Sequence, residues 1–200
     1  MSEFPTGDFE VSTVIAILAA GDSNRLGQPK QLVQWRGRSL LQHAVDTACA
    51  VAPCVLLTLG ADADALWRTL RAPASLERID VPDHRDGMSA SLRAAVAHVD
   101  ADPTAQRLLV MLVDQYAVDD AWLHGLLVLA DAHPQRMVAS RYAGLRGVPA
   151  VFPRHTFTAL AALRGDQGAR VVLRDEPDPI DFIAPHAPGD VDTPAQIPAC

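Results

Sequence analysis

Arg25 and Lys30 stand in a stretch punctuated by glycine, LAAGDSNRLGQPKQL, running from Leu18 to Leu32. Gly21 and Gly27 let the backbone approach a ligand closely, and successive N–H groups in such a loop form an anion-binding concavity. Arg25 adds a planar donor fork and Lys30 a mobile point charge. That combination suits a polyphosphate. The complementary group is Asp114, which ends the apolar run of LVMLVDQY. A carboxylate facing a phosphate loop suits Mg²⁺, which takes one or two carboxylates together with phosphate oxygens and water. Blander assignments stay open beside these: solvated cations on an ordinary turn, and an aspartate that caps a helix or closes a turn.

Two commoner phosphate loops are excluded by spacing. A P-loop reads G-x-x-x-x-G-K-[ST], whereas Gly27 lies six positions after Gly21 and Lys30 is followed by Gln31. The dinucleotide fingerprint G-x-G-x-x-G fails because Ser23 holds its second glycine position. The stretch instead resembles the L-A-A/G-G-x-S-x-R-x-G-x-x-K signature of the molybdenum cofactor cytidylyltransferase-like (MobA/MocA-like) nucleotidyltransferases. Leu18, Ala19, Ala20, Gly21, Ser23, Arg25, Gly27 and Lys30 are all in register with it, and Leu26 replaces the more usual Met.

Later segments carry the resemblance through to Pro194. Asp83 to Leu92, DHRDGMSASL, is similar to the family segment that contacts base and ribose, which implies nucleotide-binding roles for Asp83, Gly87, Ser89 and Ser91. Asp83 stands where Asn is frequent, and Ser89 by itself reads equally as a helix cap. Asp114, Gln115 and Tyr116 occupy the family's D-Q-P, so Tyr116 removes a rigid turn and adds a ring. Pro149 in GVPAVF, and Gly165, Asp166 and Arg170 in GDQGAR, resemble acceptor-side segments, with Gln115 and Tyr116 beside them. Asp192, in DVDTP, is implied as a second metal ligand after Asp114, and a solvated turn is the alternative.

The resemblance implies a Mg²⁺-dependent enzyme that transfers CMP from CTP to molybdopterin and releases pyrophosphate. Arg25, Lys30 and Asp114 would be its catalytic residues, and a molybdoenzyme or its maturation chaperone a downstream partner. The doublet Ala19-Ala20 resembles the cytidylyl branch, and a methyl at Ala20 would exclude guanine by size. A guanylyltransferase, a transferase for another phosphorylated acceptor, and a non-catalytic nucleotide-binding accessory protein are the alternatives.

The elements that must position these residues follow from periodicity. Thr13 to Ala20, Cys54 to Gly60, Ile79 to Val81, Leu108 to Val113, Arg136 to Tyr142, Val148 to Phe152 and Ile180 to Ile183 read as strands. Between them lie helical stretches from Ser39, Asp62, Met88, Asp119 or Asp120, Pro153 and Gly168. Alternation of this kind gives an α/β fold, a single doubly wound and mainly parallel sheet of Rossmann-like nucleotidyltransferase type. Ligands of such sheets bind beyond the carboxyl ends of the strands, so Gly21 and Asp114 are expected to share one crevice. Residues 1–12 read as a loose leader and 13–200 as one nucleotidyltransferase domain. A net charge of −7 argues against nucleic acid as a partner. No apolar run reaches membrane-spanning length, so no membrane partner is expected. Cys49, Cys54 and Cys200 follow no ligand spacing, which favours reduced thiols and a cytoplasmic location.

Overall fold

The computed structural model describes residues 13–21, 26–191 and 196. Seven strands form one sheet in the order β5-β4-β1-β6-β8-β7-β9. In chain order, β1 is Thr13–Leu18, β4 Val55–Leu59, β5 Leu76–Asp80, β6 Arg107–Leu112, β7 Val138–Tyr142, β8 Leu145–Pro153 and β9 Ile180–Ile183. The short strands β2 (Gln34–Trp35) and β3 (Arg38–Ser39) make a separate hairpin. Within the main sheet β8 alone runs antiparallel to its neighbours, and β7 and β9 return to the common direction.

The centre of the sheet is covered on both faces, which is why β1 is apolar at nearly every position. Ile15 and Ile17 pack towards α1 (Leu40–Cys49) and α4 (Asp120–Ala132), alongside Leu41, Val45 and Trp122. Val14, Ala16 and Leu18 pack on the other face with Leu92, Val96 and Phe157, from α3 (Met88–Asp100) and α5 (Phe157–Ala161). Ser39 caps α1 by accepting from the Gln42 N–H at 3.1 Å, and Asp119 caps α4 by accepting from Trp122 at 2.9 Å. Two short helices, α2 (Ala63–Arg68) and α6 (Arg170–Asp175), complete the set.

The chain runs outward from β1 through β4 to β5, then crosses back to place β6 on the other side of β1. That reversal opens a crevice between β1 and β6 at their carboxyl ends. Leu18 and Leu112 are register partners there, and the Val113 N–H donates to the Leu18 carbonyl at 3.2 Å. The glycine loop and the Asp114 turn therefore leave the sheet side by side. No helix among the described residues is long and apolar enough to cross a membrane.

Candidate active site

Beyond β1 the backbone is held before it turns. The Ala19 N–H donates to the Thr58 carbonyl at 3.2 Å, and Gln31 donates through Nε2 to the Ala19 carbonyl at 2.7 Å. Lys30 opens a single 3₁₀ turn, Lys30–Leu32, directly after Pro29. From there its ammonium reaches Asp114 Oδ2 at 2.5 Å, joining residues 84 positions apart. Asp114 is only 4 % exposed, and its other oxygen, Oδ1, is buried without a hydrogen-bond partner among the described residues. A bare carboxylate oxygen beside a cationic loop fits a hard divalent cation. The described residues hold no group of three or more His, Cys, Asp or Glu able to enclose a metal, so any ion here needs ligand oxygens from elsewhere. Ser23, Arg25 and Asp192 lie outside the described residues.

The segment after β5 supplies the next wall. Gly87 has φ +95°, and a Cβ there would meet Asp166 Oδ1 and the Gly165 carbonyl at 2.5 Å. The Ser89 N–H donates to that same carbonyl at 3.1 Å, so the GMSAS and GDQG segments are clasped together. Ser89 is not a helix cap: Gly87 holds that position, and Ser89 is buried with its hydroxyl accepting from Arg93 Nη1 at 2.9 Å. Arg93 also donates to Asp83 at 3.1 Å and to the Leu163 carbonyl at 3.2 Å. Asp83, Ser89 and the α5 terminus thus share one guanidinium. Ser91, two residues along the helix, is buried as well.

A groove of about 900 Å³ opens on the far side of Asp166, between the β7–β8 hairpin tip and α6. Arg141, Arg146, Arg170 and Arg174 line it with Asp166 and Leu145. Asp181 on β9 positions two of these cations, accepting from Arg146 Nε at 2.5 Å and Arg141 Nη1 at 3.0 Å. The Arg146 hydrogen bond is the main reason the Asp181 carboxyl lies below its ordinary range. Asp166 is not the cap of α6 either, since Ala169 occupies that position.

Two expected acceptor residues make hydrogen bonds within the fold. Gln115 is buried, accepting from the Leu112 N–H at 3.0 Å and donating to the Val148 carbonyl at 2.7 Å. Pro149 is buried in β8, and its carbonyl accepts from Ser140 Oγ at 2.6 Å. Tyr116 is not among the residues that line the groove. Its ring lies 4.9 Å from that of Trp35 and beneath Gly189, where a Cβ would come within 2.5 Å of the tyrosine Cζ. The tail is fastened there by the Ala117 N–H, which donates to the Pro188 carbonyl at 2.8 Å.

The chain matches the MobA-like NTP transferase domain over residues 15–180. It belongs to that family. Nicotine blue oxidoreductase of Paenarthrobacter nicotinovorans is 35 % identical over 189 residues, covering 88 % of this chain and 89 % of that protein. The crystal structure of Rv0371c from Mycobacterium tuberculosis H37Rv superposes with a TM-score of 0.79 at 32 % identity, covering 93 % of this chain and 96 % of the other. The same protein in complex with manganese gives 0.76 at 31 % identity and equal coverage.

As a MobA-like transferase, the chain is a nucleotidyltransferase whose fold brings together Gly21, Lys30 and Asp114 in one place. One sequence inference changes. The methyl of Ala20 is buried against Val81 and Ala90 rather than lining an open wall, so size exclusion of guanine does not follow from it. Sequence reasoning missed Gln31, Arg93 and the Arg141–Arg146–Asp181 cluster. Gln31 is adjacent to Lys30, and Arg93 lies one helical turn from Ser89, so spacing offered a signal for both. The third cluster is assembled across β7, β8 and β9 and offered none.

Proposed function

We propose that the chain transfers a nucleotidyl group from CTP to a phosphorylated small molecule, molybdopterin being the acceptor that the sequence resemblance implies. The observation that carries this is the Lys30–Asp114 pair at 2.5 Å, with the second carboxylate oxygen buried and without a hydrogen-bond partner among the described residues. The acceptor phosphate oxygen attacks the α-phosphorus, the α–β bridging bond breaks, and pyrophosphate leaves. Such a transfer needs positioning and charge stabilisation more than covalent help. Lys30, with Arg25, neutralises triphosphate oxygens as charge builds on the leaving pyrophosphate. Asp114, joined by Asp192, would hold a divalent cation such as Mg²⁺, and that ion supplies charge neutralisation on the phosphates.

The groove beyond Asp166 suits an anionic acceptor, because arginine forks match phosphate oxygens in pairs. A loop without G-x-G-x-x-G favours nucleotide transfer over the redox activity in the relative's name. The test offers CTP, GTP, ATP and UTP with Mg²⁺ and molybdenum cofactor, read as pyrophosphate release. CTP- and acceptor-dependent release is expected. Release with GTP alone would move the assignment to a guanylyltransferase, and nicotinamide oxidation without pyrophosphate would replace transfer by redox chemistry.

A further inference from the structure

Both members of the Lys30–Asp114 pair are largely withdrawn from water, their side chains 21 % and 5 % exposed. A carboxylate so placed needs a counter-charge, and stripping away one partner of a buried pair leaves an uncompensated charge. We propose that Lys30 is an exchangeable counter-ion: it holds Asp114 in the nucleotide-free protein and passes to the triphosphate when nucleotide and cation arrive together. Cation binding is thereby conditional on nucleotide. The inference rests on the assignment of Asp114 as the cation-holding residue.

The geometry sets the competition. A divalent cation arriving alone finds an ammonium 2.5 Å from one oxygen of the carboxylate it seeks. It must share that carboxylate with a like charge or displace the ammonium from it. A triphosphate removes the conflict, because its oxygens receive the ammonium and complete the cation's shell. Lysine suits the exchange, being a point charge on a flexible stem, whereas arginine's planar fork would grip the carboxylate through two bonds. The backbone beneath it stays put. Gln31 ties the 3₁₀ turn to the Ala19 carbonyl, and the Val33 N–H closes it on the Lys30 carbonyl at 3.1 Å. Only the side chain has to move. A static pair would stabilise the fold without linking cation to nucleotide.

Coupling of this kind is reciprocal and typically about 5- to 150-fold. The experiment titrates Mn²⁺ into the protein and follows free Mn²⁺ by electron paramagnetic resonance. It is run without nucleotide, with CTP, and with inorganic tripolyphosphate, which carries the charge without a base; complexes formed without protein are subtracted. Wild type should take up Mn²⁺ at least about tenfold more tightly with either triphosphate. Lys30→Met should bind Mn²⁺ without nucleotide about tenfold more tightly than wild type and lose most of the coupling. Lys30→Arg, which keeps the charge, should stay as reluctant as wild type. Unchanged nucleotide-free affinity in Lys30→Met, with Asp114→Asn binding nothing, overturns the exchange and leaves the site assignment standing. Undiminished binding by Asp114→Asn removes the assignment itself. If Lys30→Met fails to fold, wild type decides: equal Mn²⁺ affinity with and without triphosphate sinks the proposal.

Discussion

The two halves of the sheet's carboxyl edge are built on opposite principles. Over β1 and β6 the chemistry is compact: one lysine, one buried carboxylate, and small residues that let the backbone close in. Over β7, β8 and β9 it is dispersed: four arginines around an open groove, two of them held by one aspartate from a neighbouring strand. The first half works where water is scarce, so each charge counts heavily and few are needed. The second half works against solvent, where single ion pairs are worth little and recognition comes from several donors at once. Under the proposed function, catalysis and the charge of the triphosphate fall to the first half, and acceptor choice to the second.

Breaking that division starts at its strongest point. Asp114→Asn, or separately Lys30→Ala, should lower turnover about a hundredfold, on the scale of roughly 3 kcal/mol for one transition-state contact. Steady-state pyrophosphate release checks it. A loss below about threefold, well under one 1.4 kcal/mol decade, would show that the compact half is not where chemistry occurs. Circular dichroism separates that loss from unfolding.

Gly87→Ala attacks the clasp between the halves. Its φ of +95° and the 2.5 Å approach to Gly165 and Asp166 leave no room for a methyl. The expected cost is about 1–3 kcal/mol of stability, together with weaker binding of both substrates. Thermal melting and both KM values measure this, and an unchanged melting temperature would mean the clasp is loose. Arg170→Ala sharpens the contrast from the other side. It should raise the acceptor KM about tenfold, as expected for one charged hydrogen bond, while leaving the CTP KM alone. A rise in the nucleotide KM instead would place the groove in the wrong half.

Ala20→Gly tests base choice within the compact half. Because the methyl packs on Val81 and Ala90, its removal should cost about 1 kcal/mol of stability. The ratio of CTP to GTP efficiencies should stay within about threefold, and a shift of a full decade would put the methyl against the base after all. The smallest effect concerns His43, on the helix that follows the glycine loop. Burial, aided by nearby Arg38, lowers its pKa from 6.5, and its Nε2 is buried without a partner among the described residues. The unfolded chain therefore binds the proton more readily. Stability from this source is complete above pH 6.5 and declines as pH falls below it and through the lower folded value. His43→Gln should flatten that part of the melting-temperature profile, and an unchanged slope would assign it to other groups.

The sequence by itself determined the main-sheet strands and their order along the chain, and it marked Gly21, Lys30 and Asp114 as candidates at the carboxyl ends of β1 and β6. Buried parallel strands must be apolar at nearly every position, so β1, β4 and β6 are legible as runs. A loop that admits phosphate must use glycine and leave its cations at fixed offsets, so Gly21, Gly27 and Lys30 form a readable pattern. Ser39 and Asp119 are legible as caps because a helix start leaves its first N–H groups in need of an acceptor.

Tertiary structure alone decided what depends on distant partners. The antiparallel course of β8 is one case, since an apolar strand reads the same in either direction. The commitment of Gln115 to the Leu112 and Val148 backbones is another, and so is the placing of Tyr116 under Gly189. Adjacency to Asp114 in the chain marked both as site candidates, and it carries no record of Val148, Trp35 or Gly189, the distant residues they contact. The arginine groove is the plainest instance. Arg141, Arg146 and Asp181 obey no local spacing and join Arg170, which the GDQGAR spacing did mark, only because β9 pairs with β7 and α6 packs beside the hairpin. Local constraint writes itself into sequence, while a surface gathered from separate strands becomes visible only when the sheet has formed.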